Sequence, residues 1–351
     1  GAAVCDRKLV NGMITYTLLA SLAWTNLGAL VMTRYLADIC YEKKYTEILP
    51  SFWGSVSLLL VPGTMLYAVF LAVSGISFRD VLFCGWLFAT LVVVWTEMNV
   101  LMAWKDYRGI LLTFAGMLVV AFSFGTVLVM AGADSVTAAM LAVVTAYGGM
   151  AVRYYDLLQR YFPQGEKDAF HFLEWFRRYP QLPWLGVAMT SGLFGHLVIM
   201  WCAPCGVQVR GLFYEAPVYD IPAILAFLSI LVTTVNFVTS VEVNVYPKYR
   251  CYFGLLGDGG SLVDLGQAQQ ELKVTLWQEL TYTYIRQLFA TVLFLIAGTF
   301  LLPRLPLGMT EDMLGIYRVL CVGYSFYAMG NCAMLMQLYF ADHTGALASG
   351  V

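Results

Sequence analysis

Four ionisable side chains sit where a chain this apolar has little room for them. Glu97 interrupts the run from Val81 to Trp104, in V94-W-T-E-M-N-V100, and Glu242 does the same in V241-E-V-N-V-Y246. Arg153 and Arg286 stand inside two further apolar stretches. Placing such a charge in hydrocarbon costs a few kcal/mol even on the lenient insertion scale, so intramembrane charges face a partner or a watery cavity. Carboxylates and guanidinium groups of this kind can bind a polar cargo or line its path. The connection from Ala203 to Asp220, where a polymerase or ligase would need its catalytic loop, is short and carries no compact acid–base cluster; no enzyme activity, cofactor or metal is expected.

The surrounding composition sets their solvent. Hydrophobic residues make up 60% of the 351 positions and charged residues 12%, and the mean hydropathy is +0.73, which no soluble domain of this size sustains. A net charge of −2 gives no concentrated cationic surface for nucleic acid. The eight cysteines are scattered, mostly through apolar runs, as small hydrophobes. Cys202 and Cys205 lie close enough for a local disulfide, with two unpaired thiols as the other reading.

Apolar runs of about 20 residues cross a bilayer as helices. Nine fit, at 9–31, 51–74, 81–104, 109–132, 135–157, 182–203, 221–245, 280–302 and 313–340. The first, third, fifth and seventh connections, with the span ends beside them, hold thirteen Lys and Arg residues against five on the other side. The positive-inside rule puts the richer side in the cytoplasm. The fragment is then expected to begin outside, behind a missing upstream helix. Two of these connections are long. Residues 158–181 contain E166-K-D-A-F-H-F-L-E-W-F-R-R-Y-P180, which suits an interfacial helix, and divide the chain into bundles at 1–159 and 181–351 with a connection at 160–180. In 261–280, Leu265, Ala268, Leu272, Leu276 and Leu280 follow helical spacing, so the eighth span extends into the cytoplasm.

On this topology Glu97 lies about 10 Å from the inner end of its span. Arg153, Glu242 and Arg286 share that inner third, two charges from each half of the chain. One reading is a polar vestibule open to the cytoplasm between two bundles. The other has Arg153 and Glu242 reaching the headgroups while Glu97 and Arg286 pair structurally. Tyr154, Tyr155 and Tyr282 could stack on sugar rings or mark the interface. Asn26, Asn99, Asn236 and Asn331 could bond between helices or line a path. His196, the one histidine inside a span, could titrate near neutral pH or serve packing.

T33-R-Y-L-A-D-I-C-Y-E-K-K-Y-T-E-I-L-P50, A103-W-K-D-Y-R-G-I110, Y179-P180, Y219-D-I-P-A-I-L-A-F-L-S-I230, V241-E-V-N-V-Y-P-K-Y-R-C-Y252 and G259-G-S-L262 resemble the PelG family. That resemblance implies a flippase of the multidrug, oligosaccharidyl-lipid and polysaccharide superfamily. Its fold would be all-α and polytopic, with two six-helix bundles around a central cavity, nine of an expected twelve helices being present. It implies passage of a polymer rich in N-acetylgalactosamine and galactosamine across the inner membrane. The implied partners are the Pel glycosyltransferase and other inner-membrane Pel subunits, one of which binds cyclic di-GMP. The substrate path would draw on Glu97, Arg153, Tyr154, Tyr155, Asn236, Glu242, Arg286 and His196. Where the family pattern has an acidic–basic pair, this chain has Gly195-His196, so no family role carries over there. An ion-coupled exporter of small molecules and a non-transporting scaffold for a glycosyltransferase are the competing readings.

Overall fold

Backbone N–H and C=O groups in a long apolar run have only one another to bond, so each run closes into a helix. The computed structural model describes residues 2–165, 168–257, 259–306 and 308–350. Glu166 and Lys167 of the E166–P180 stretch, and Asp258 of the glycine-rich turn, lie outside them. Among the described residues, nine helices are long and apolar enough to cross a membrane, and the chain is an all-α polytopic membrane protein. In chain order the helices are α1 Ala2–Tyr41, α2 Ile48–Val73, α3 Phe78–Ala103, α4 Tyr107–Met130, α5 Ser135–Tyr161, α6 Leu173–Arg178, α7 Gln181–Cys202, α8 Pro217–Ser240, α9 Tyr246–Gly257, α10 Leu262–Leu301, α11 Glu311–Tyr339 and α12 His343–Gly350. Polar side chains start several of them: Ser77, Asp106 and Asp134 each accept from the N–H three residues on, satisfying donors a helix start leaves free.

The chain packs as two compact units, Gly1–Glu215 and Ala216–Val351. The sequence places the division at 160–180 instead, with α7 opening the second bundle. By packing, α7 goes with the first unit, because it lies along α1. Gly186 makes this possible: a Cβ there would come within 2.2 Å of the Asn26 carbonyl oxygen. One turn on, Asn26 Nδ2 donates to Thr190 Oγ1 at 2.7 Å.

In the first unit α1 is the central helix, touching α2, α3, α5 and α7. Pro62 interrupts the bonding of α2, and Trp24 of α1 donates its indole N–H to the nearby Leu59 carbonyl at 2.7 Å. Gly63 leaves room for that indole, since a Cβ would lie 2.4 Å from Trp24 Nε1. The connection after α7 folds into a hairpin of β1 Val207–Arg210 and β2 Phe213–Glu215, strands too short to show a period in the sequence. Its Phe213 is fully buried. The Tyr16 hydroxyl of α1 accepts from the Tyr214 N–H at 3.1 Å and donates to the Tyr214 carbonyl at 3.2 Å. Gly211 turns the hairpin at φ +56, where a Cβ would sit 1.7 Å from the Ser74 carbonyl oxygen.

Among the described residues of the E166–P180 stretch, the helix runs only from Leu173 to Arg178, and its aromatic face turns onto α1. Trp175 Nε1 donates to Asp38 Oδ2 at 2.8 Å, Tyr35 meets the Trp175 ring edge-on at 4.9 Å, and His171 Nδ1 lies 3.2 Å from Glu47 Oε2.

In the second unit α8 packs chiefly on α11, and α10 touches both. A five-residue π-helical segment, Val241–Val245, joins α8 to α9. The carboxylate of Glu279 on α10 holds it from both ends, accepting from the Ser240 hydroxyl and from Asn244 Nδ2 at 2.8 Å. Ala268 and Leu272 of the α10 extension are buried, and Lys248 of α9 pairs with Glu271 of α10 at 2.6 Å.

Candidate functional site

The sequence-selected residues of the first unit fall into two environments. Glu97 is 1% exposed on α3, and its Oε2 has no hydrogen-bond partner. Tyr154, wholly buried on α5, lies within electrostatic range of Glu97, while its hydroxyl donates to the Ile110 carbonyl at 3.2 Å. The structure therefore brings Glu97 and Tyr154 together inside the packing of the first unit. Arg153 and Tyr155 are elsewhere. The exposed Arg153 side chain pairs with Asp156, which also binds Arg160 at 2.9 Å. Tyr155 packs edge-on against Trp53 at 5.3 Å. His196 is half-buried on α7 and bonded to the backbone of Leu193.

In the second unit Glu242 is partly buried within the π-helical segment, and Asn236 is exposed on α8. Arg286 is exposed on α10, its guanidinium 4.1 Å from the centre of the Tyr282 ring one turn away, a cation–π contact. Cys202 and Cys205 are free thiols, with Cys205 Sγ 3.5 Å from the Met200 carbonyl oxygen.

A polar seam in the second unit escaped the sequence reading. Ser229 and Thr233 of α8, Gln287 of α10 and Ser325 of α11 are at most 3% exposed. Ser229 Oγ, Thr233 Oγ1, Gln287 Oε1 and Ser325 Oγ all lack a hydrogen-bond partner. Tyr284 donates to the Met329 carbonyl at 3.4 Å and Tyr317 to the Phe294 carbonyl at 2.8 Å, a register that sets Gln287 level with Ser325. The contact of Phe227 with Tyr324 at 5.8 Å brings Ser229 to about the same depth. Thr291 fixes the amide of Gln287. Its hydroxyl donates to the Gln287 carbonyl at 2.8 Å and accepts from Gln287 Nε2 at 3.1 Å, leaving Oε1 as the buried, unpartnered acceptor of that side chain. The signal was present in T283, Q287 and T291, spaced four apart on one helical face, but an uncharged amide among aromatic residues draws less notice than a charge.

Residues 2–351 match the PelG family, described as "Putative exopolysaccharide Exporter (EPS-E)". The chain belongs to the PelG family. Membership connects this multi-pass membrane protein with exopolysaccharide export and with the machinery that makes the polymer. No curated protein and no solved structure matches it. The match runs through both packing units and all nine long helices, so the PelG-family character belongs to the whole described chain and not to one half of it.

Proposed function

We propose that this chain passes a Pel-type exopolysaccharide, rich in N-acetylgalactosamine and galactosamine, across the inner membrane as the transporting member of a synthase complex. The observation that supports it is the PelG-family match from residue 2 to residue 351, on a chain whose polar residues recur inside otherwise apolar helices. In this reading the Pel glycosyltransferase delivers the polymer from the cytoplasm, and other inner-membrane subunits, one of them binding cyclic di-GMP, assemble with the transporter. The chain itself moves polymer without catalysing a reaction. Glu97, Arg153, Tyr154, Tyr155, His196, Asn236, Glu242 and Arg286 are its path residues. The working halves are 1–159 and 181–351, with 160–180 as their connection, a functional division that differs from the packing division by assigning α7 to the second half. Processive passage requires many weak contacts, so single substitutions slow transport without abolishing affinity. Glu97 is buried in this structure; it meets cargo only when α3 and α5 part, which makes it a marker of the moving state.

The test is co-expression of the full-length protein with a Pel glycosyltransferase, with polymer measured inside and outside the cell. Export in its presence and intracellular accumulation in its absence are the expected results. Polymer that appears outside at the same rate without this protein would refute the reading. Glu97→Gln and Arg286→Gln are each expected to slow export severalfold with normal membrane levels of protein. If neither changes the rate, those two residues serve packing.

A further inference from the structure

The first unit contains a cavity of about 780 Å³ between α1, α2, α3, α7 and the hairpin, within the range of sites that hold small ligands. Its wall is built of rings, among them Tyr16, Trp24, Tyr67, Phe70, Phe194 and Trp201. Several are locked against one another: Tyr16 stacks on Trp201 at 4.6 Å and 14°, and Tyr67 on Phe88 at 4.5 Å and 16°.

The polar atoms of this wall decide what fits. Tyr16 bonds the backbone of Tyr214 in both directions. Trp24 gives its N–H to the Leu59 carbonyl. The Tyr67 hydroxyl is shared with Thr17 Oγ1 at 2.8 Å. Thr190 donates to the Gly186 carbonyl at 2.9 Å and accepts from Asn26. Chiefly the hydroxyls of Ser191 and Tyr214 are left to meet a guest, too few for a saccharide, whose every ring carries several groups needing partners. A guest made of CH₂ groups needs none. Leu66 of α2 and Val198 of α7 belong to the lining and are 61% and 48% exposed. Both lie within membrane-spanning helices, so the rim meets the surroundings at the depth of lipid tails.

We propose that this cavity is a binding site for one acyl chain of a membrane phospholipid, which enters past Leu66 and Val198 and lies against the stacked rings. None of the eight path residues proposed above is in its lining, and the inference stands or falls independently of the polymer's identity.

A phospholipid with a diazirine at mid-chain tests it. The full-length protein is placed in phosphatidylethanolamine and phosphatidylglycerol vesicles containing that lipid, irradiated, and its labelled peptides mapped by mass spectrometry. Helix α4 is the internal control, because only 6% of its apolar window is buried and it reports ordinary surface lipid. The expected labels fall on residues 16–27, 63–70 and 187–201 more densely than on α4. Gly195→Phe fills the cavity from a position where an added Cβ meets nothing within 4 Å. It is expected to cut cavity labelling at least tenfold and leave α4 labelling unchanged. Should Gly195→Phe misfold, lowering α4 labelling too, Val198→Trp blocks the rim in its place. Cavity labelling that is absent, as when another segment of the protein fills the space, overturns the proposal. So does labelling that neither substitution reduces.

Discussion

Around the cavity of the first unit, the polar groups of Tyr16, Thr17, Trp24 and Tyr67 are bonded to one another or to backbone. At the centre of the second unit, Ser229, Thr233, Gln287 and Ser325 bury polar atoms on α8, α10 and α11 and leave them without partners. Thr17 and Tyr67 are as buried as the four residues of the seam, and Tyr16 and Trp24 half so, so the contrast between the regions is chiefly one of bonding. A satisfied network loses bonds whenever its helices shift. Unpartnered groups lose nothing, and a shift or a passing polar molecule can only improve their position. The first arrangement is that of a fixed frame, the second that of a surface along which helices can change neighbours.

The largest effect expected from testing that contrast comes from the frame. Gly186→Leu must push α7 off the Asn26 carbonyl, and overpacking of this kind costs about 3 kcal/mol. It is expected to lower the apparent Tm of the purified protein sharply; an unchanged Tm would show that the α1–α7 contact is loose. Thr17→Val keeps the shape of the side chain but strands the Tyr67 hydroxyl, a loss of about 2 kcal/mol read in the same melt. Trp24→Phe removes the donor from the Leu59 carbonyl beside Pro62 and should cost about 1 kcal/mol. The smallest effect belongs to the seam. Ser325→Ala deletes a hydroxyl that bonds to nothing and is expected to change stability by no more than about 0.5 kcal/mol or raise it, leaving Tm nearly unmoved. A loss as large as that of Thr17→Val would erase the distinction between the two regions.

The spans were legible because length and hydropathy alone fix them, and the nine stretches read from composition are the nine long helices. Leu272 was legible as an inward position of α10 for the same reason of period. The choice of α7's neighbour was not, because it rests on Gly186 and Asn26, residues whose closeness only the packed chain reveals. The hairpin was hidden by the brevity of its strands. Among the charges, depth in the sequence did not distinguish Glu97, enclosed beside Tyr154, from Arg153, which turns outward to Asp156 one turn along its own helix. Hydropathy ranks both as costly, and side-chain length decides which can escape. The seam went unseen since its members are neutral, and neutral polar residues are common in membrane helices.

The π-helical turn at Val241–Val245 holds one residue more than an α-turn would. Rewinding it into an ordinary α-turn would swivel α9 by about 100° relative to α8 while the helix stays continuous. Glu279, gripping Ser240 and Asn244 together, is the pawl of such a ratchet. Spin labels on α9 and α10 should report a single separation in the parent protein and a second one in Glu279→Ala; one unchanged separation in both would mean the pawl holds nothing back.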